Sequence, residues 1–178
     1  MTSGKGFFQN LTGFLFRKQA GLRPDSTLPV IKTDLQTLNL SEDLLVWFGH
    51  SSYLIQMEGK RLLVDPVFCT AAPVSFVNKP FKGTEVYRPE DMPDIDWAIL
   101  ENGQYNEGWK YIHLMPGYMA AVARELKAAK ILTVHHSKYA LATHPWDEPL
   151  KNARRMRDRD SLPVVIPQIG EVVNMAEY

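Results

Sequence analysis

Between Leu44 and Pro66 the chain reads as three short strands with almost nothing between them. Leu44 to Phe48 is apolar, a Gly-His-Ser-Ser turn follows, and Tyr53 to Met57 returns. Glu58-Gly59 is a hairpin turn, and Arg61 to Val64 is the next strand. Asp65-Pro66 ends it, because proline removes a donor and cannot extend a central ladder. A run of this kind commits the chain to a sheet.

The remaining segments set helices against that sheet. Trp97 to Leu100 is a short buried strand that opens into the polar loop Glu101-Asn-Gly-Gln-Tyr-Asn-Glu-Gly-Trp109. Strand ends that open into such loops are where layered α/β proteins place their chemistry. Pro116 starts a helix over Tyr118 to Ala129, with Met119, Val122, Ala123 and Leu126 along one side. Lys130 to Val134 is a strand ending at His135-His136, and Leu150 to Asp160 is a charged surface helix with Arg154 and Asp158 at i, i+4 spacing. Val164 to Ile166 and Glu171 to Val173, joined through Gly170, are expected as a closing strand pair. Between Val67 and Pro93 a proline-rich loop carries Phe68, Phe76, Phe81 and Tyr87, and a loop of this length is expected to form a lid or rim. The order of elements is that of a layered α/β fold.

At 178 residues the chain makes one domain with a real core. Acidic and basic residues balance at 20 each, so there is no electrostatic case for a nucleic-acid partner. The basic helix from Lys151 to Arg159 is interleaved with acids and reads as a solvated face. Cys69 is the single cysteine, which excludes an intrachain disulfide and fits a reducing, cytoplasmic setting. The N-terminal arm carries Phe7, Phe8, Leu11, Phe14 and Leu15 at roughly helical spacing, closed by Arg17 and Lys18. It is too short to span a bilayer; a helix docking on the core is the expectation, with peripheral membrane contact as the alternative.

Five histidines bear on chemistry: His50, His113, His135, His136 and His144. Neighbours on a strand point to opposite faces, so His135 and His136 do not share a metal. A catalytic zinc wants about three protein ligands and a water. The sequence has no His-x-His, His-x-x-x-His or Cys-x-x-Cys, no Gly-x-Ser-x-Gly elbow and no phosphate-binding Gly-x-x-x-x-Gly-Lys loop.

Trp47-Phe-Gly-His-Ser-Ser-Tyr-Leu-Ile55 and Leu63-Val-Asp-Pro66 resemble the opening of metallo-β-lactamase-fold hydrolases. The branch is that of N-acyl-phosphatidylethanolamine-hydrolysing phospholipase D and the ascorbate-6-phosphate lactonase-like enzymes. Glu101 to Trp109 and Val134-His-His-Ser-Lys-Tyr-Ala-Leu141 resemble its C-terminal half. The resemblance runs from about Leu28 to Val173, leaving 1–27 as arm and connector and 28–178 as the domain. It implies a shortened αββα sandwich and a zinc-dependent hydrolase parent acting on a small-molecule or lipid-like phosphodiester, ester or lactone. In such a parent two metal ions stabilise nucleophile and leaving oxygen together. Carried over by position, His135 matches the final metal-binding histidine. Asp65 matches an aspartate beside the metal loop, and His50, His136 and Tyr105 are assigned to site support.

The family's His-x-His-x-Asp-His loop, a later histidine and a bridging aspartate have no counterpart here. The strand Asp96 to Leu100 should run into that loop and instead runs into Glu101-Asn-Gly-Gln, which belongs after the equivalent strand of the second half. The expectation is an internal deletion near 100/101 and a catalytically silent homologue with one family ligand left and no catalytic residue assigned. The alternatives are a weak mononuclear hydrolase built on His135, His50 and Asp65, or an interaction or membrane-surface module. Exposed sheet edges would be covered in a homo-oligomer. Gly117 stands where the branch tends to carry an acidic residue, which weakens the start of its helix.

Overall fold

The computed structural model describes residues 24–68, 80–109, 113–139 and 142–177. The arm residues Phe7, Phe8, Leu11 and Phe14, together with Cys69 and Phe76, lie outside these residues. Six strands form one sheet in sequence order: β1 (Leu44–Gly49), β2 (Ser52–Met57), β3 (Lys60–Val64), β4 (Trp97–Glu101), β5 (Lys130–Val134) and β6 (Val164–Val165). The first three are antiparallel neighbours, and β3 through β6 run parallel. Parallel neighbours need crossovers, supplied by α1 (Pro116–Leu126) between β4 and β5 and α2 (Glu148–Asp158) between β5 and β6.

The β2–β3 turn places Glu58 and Gly59 at φ of 50° and 74°, the paired positive values of a tight hairpin. One face of the sheet presents Leu54, Leu63, Ala98, Leu100, Ile131 and Val164. Met119, Ala123 and Leu126 of α1 and Ala153 and Met156 of α2 join them in one buried cluster. The spacing of those helical positions is one amphipathic stripe. On the opposite face Leu45 and Trp47 of β1 and Met57 of β2 stay exposed, while Tyr53, Ile55, Leu62 and Val64 are half-buried. The architecture is a layered α/β fold with one sheet and two helices among the described residues.

Several elements differ from expectation. The closing strand pair does not form: β6 is two residues long and adds in parallel to β5, whereas 171–173 is coil with Val172 almost fully exposed. Pro163 and Pro167 bracket β6 and limit its ladder. A turn closed by Glu171 N–H to the Gln168 carbonyl, 3.0 Å, sends the chain away from a partner strand. Helix α1 stops at Leu126 because Lys127 adopts the left-handed conformation, φ 51°. Helix α2 begins two residues earlier than expected, where Pro149 fits the first turn. Its Asp158 pairs with the adjacent Arg157 at 2.8 Å rather than with Arg154. Tyr87 is no rim residue. It is buried in the core, packs on Phe48 with ring centroids 4.6 Å apart, and accepts a hydrogen bond from Thr33 N–H.

Candidate functional site

Strands β1, β3, β4 and β5 run in one direction, so their C-terminal ends meet along a single edge of the sheet. His50, Asp65, Glu101 and His135 stand at those ends. Four non-glycine residues of this edge hold positive φ: His50 at 53°, Asp65 at 42°, His135 at 67° and Ser137 at 67°. Such backbone strain persists only where the surroundings over-determine it, and it concentrates at functional sites.

The β1 and β3 ends are tied by short polar contacts. Trp47 Nε1 donates to the His50 carbonyl at 3.0 Å, fixing the turn after β1. Ser51 Oγ donates to Asp65 Oδ2 at 2.5 Å, and Ser52 Oγ accepts from Val67 N–H at 3.2 Å. The Asp65 N–H itself donates to the Ile99 carbonyl at 2.9 Å, extending the β3–β4 ladder by one bond. Asp65 thus links the turn after β1 to β4.

The β4 and β5 ends interlock more tightly. Asn102 N–H donates to the Val134 carbonyl at 3.0 Å. Gly103 then lies against the His135 backbone so closely that a Cβ at this position would overlap the His135 carbonyl. His144 Nε2 meets the Gly103 carbonyl at 3.0 Å and holds the same loop from the other side. Asn102 is fully buried, and its Nδ2 donates to the Pro149 carbonyl at the start of α2.

Glu101 is the charged centre of this edge. Its side chain is 10% exposed, and Oε1 lies 2.5 Å from His113 Nδ1 and 3.7 Å from His135 Nδ1. An ionised carboxylate only accepts, so Nδ1 of His113 carries the proton and donates. Oε2 accepts from Leu114 N–H at 3.4 Å. Neither Glu101 nor His113 was given a role by spacing, since they stand twelve positions apart in sequence. One signal was present: an acid at the end of a buried apolar strand must find a partner.

The other assigned residues sit apart from that centre. His136 turns away from its neighbour: Nε2 donates to the Thr133 carbonyl at 3.1 Å, and Nδ1 accepts from Ser137 Oγ at 2.7 Å. Burial holds its pKa below the usual imidazole range; the Thr133 carbonyl works against that shift, and His135 adds to it. Tyr105 belongs to the anchoring of α2. Its hydroxyl donates to Glu148 at 2.9 Å and accepts from Asn152 at 2.8 Å, while its ring stacks on His144 at 4.2 Å. Burial, then the Glu148 acceptor, raises the phenol well above its usual range.

A metal centre needs three or more donors converging at about 2.0–2.3 Å. Among the described residues no three His, Cys, Asp or Glu side chains are gathered that could hold one. Outside the described residues the sequence has no histidine, aspartate or glutamate and a single cysteine, Cys69. The donor set does not fit a dinuclear zinc site.

No protein-family model matches the chain. Curated proteins do. Over 88 residues, 46% of this chain, it is 35% identical to N-acyl-phosphatidylethanolamine-hydrolyzing phospholipase D 1 of Caenorhabditis elegans, covering 24% of that protein. This relative belongs to the branch of proteins that the sequence resembles. Over 46 residues, 26% of the chain, it is 46% identical to the outer membrane protein RomA of Klebsiella pneumoniae, covering 35% of it. The chain thus spans only about a quarter to a third of these relatives. Among solved structures, one from Thermotoga maritima is described as a zinc-dependent hydrolase of the metallo-β-lactamase superfamily. It is 17% identical over 60% of this chain and 84% of that one, and its TM-score of 0.29 carries no weight for the fold. No helix among the described residues is long and apolar enough to cross a membrane.

Proposed function

We propose that this chain is a hydrolase homologue that lacks a working metal centre and turns over no substrate. The observation that carries the reading is the junction after β4. The strand passes directly into Asn102 and Gly103, and that loop is fitted against the end of β5 at backbone contact distance. A loop seated this closely leaves the strand ends joined to each other rather than opened around a cation. The missing central block of the resemblance, an internal deletion near 100/101, accounts for that arrangement. Of the inherited positions, His135 alone corresponds to a family metal ligand, and Asp65 is held by Ser51.

The test is elemental analysis of purified protein together with hydrolysis assays on N-acyl-phosphatidylethanolamine, an activated phosphodiester and a lactone. The expected result is far less than one zinc per chain and no turnover above buffer. One zinc per chain, with turnover, both abolished by His135→Ala, would establish the mononuclear hydrolase instead.

A further inference from the structure

A divalent cation commonly organises imidazoles by drawing their lone pairs inward. Here a carboxylate stands between two imidazoles, and the distances decide which kind of centre it makes. Two ligands of one tetrahedral zinc, each about 2.0–2.1 Å from the metal, stand roughly 3.3 Å apart. His113 Nδ1 and Glu101 Oε1 are 2.5 Å apart, too close to be two ligands of one cation and suited to a charge-assisted hydrogen bond. The proton on Nδ1 closes that nitrogen to a metal, so Glu101 Oε1 and His113 Nδ1 are not two ligands of one ion.

We infer that Glu101 is a positioning residue that replaces a cation cross-link with an anionic one. Its carboxylate faces His135 at the end of β5, 3.7 Å away, and is bonded to the approach to α1 through His113 and Leu114. The inference rests on the reading above that no metal centre operates in this chain. Three further observations place the clamp under structural demand. Glu101 is nearly buried, so its charge requires partners. His135 is held at φ 67°, a conformation that needs external support. The register pairs Glu101 with Val134, which brings its carboxylate beside the residue that follows.

The experiment combines thermal melts, cobalt(II) titration and NMR of protein labelled with ¹⁵N-histidine, on the full chain and on Glu101→Ala and Glu101→Gln. The wild type is expected to show no cobalt d–d absorbance with one equivalent added, a melting temperature unchanged by EDTA, and a slowly exchanging Nδ1 proton on His113. Glu101→Ala should lose that proton signal and melt roughly 5 °C lower. Glu101→Gln keeps an acceptor oxygen but loses the charge, so it should recover the signal and only part of the melting temperature. If Glu101→Ala does not fold, Glu101→Gln decides by the same signal. A Glu101→Ala protein that melts with the wild type, or a wild type without the Nδ1 proton, overturns the clamp and leaves the silent-homologue reading standing. Stoichiometric cobalt absorbance abolished by Glu101→Ala makes Glu101 a metal ligand and overturns both.

Discussion

Gly103→Ala tests the junction most directly. The added methyl would overlap the His135 carbonyl and crowd the His136 Cβ. The carbonyl is backbone and cannot rotate aside as a long side chain could. Overpacking of this kind costs about 1–3 kcal/mol. Gly103 does not sit at positive φ, so alanine also gains about 0.4–1 kcal/mol from a less flexible unfolded chain. The steric term wins, and the net loss is about 1–2 kcal/mol. For a chain of this size each kcal/mol lowers the melting point by about 2–4 °C, so the drop is roughly 5 °C. In urea the midpoint should fall by about 0.5–1 M at unchanged slope. Gly117→Ala is the matched control: it lies in the first turn of α1, is exposed, and its Cβ meets nothing within 4 Å. Helix propensity alone predicts a gain of up to about 1 kcal/mol there. Equilibrium unfolding followed by tryptophan fluorescence measures both. A Gly103→Ala protein as stable as the wild type would mean that the β4 and β5 loops are not in contact, and the argument for a closed junction would go with it.

Three further outcomes are expected. His136 is half-buried with a lowered pKa, so the unfolded state binds its proton more readily. Its contribution is complete above pH 6.5 and is lost as pH falls toward the lowered folded value; in urea titrations at several pH values, His136→Asn should flatten that acid limb. Tyr105→Phe removes hydrogen bonds to Glu148 and Asn152 and should cost about 1–2 kcal/mol in calorimetry. Because the folded Tyr105 pKa is raised, its contribution is present below about pH 10 and fades above it, and Tyr105→Phe should melt with less alkaline sensitivity. Leu45 and Trp47 are 60% and 68% exposed on edge strand β1, so self-association is proposed through that edge. Sedimentation velocity should show association rising with concentration in the wild type and lost in Leu45→Lys; monomers throughout would end the proposal.

The strands were legible because their causes are local. Lys130–Val134 and the Glu58-Gly59 hairpin follow from apolar runs and a turn that needs positive φ. The end of α1 was overshot by three residues, since Ala128 and Ala129 have helical propensity and only the left-handed Lys127 ends the helix. The expected strand at 171–173 failed for the opposite reason. Val172 and Val173 have strand propensity, but no neighbouring edge reaches them after the turn at Gly170. Propensity proposes an element, and the availability of a partner disposes of it.

The candidate site was half legible for a related reason. His50, Asp65 and His135, singled out by the resemblance, share one edge because each directly follows a strand and those strand ends lie together. What they do there depends on side chains delivered from loops, which carry no period. His113 arrives from the segment leading into α1, and nothing around it in sequence marks it as the partner of Glu101. Asp65 shows the converse. The resemblance assigns it to support beside a metal loop, and here its carboxylate accepts from Ser51 at 2.5 Å. A motif preserves the position of a residue, whereas its role depends on which partner reaches it. In this chain the partners at the strand ends are a serine hydroxyl, a backbone amide and two imidazoles around one carboxylate. That set joins loops to one another, and the proposal that no metal ion is held here requires it to keep this edge of the sheet ordered.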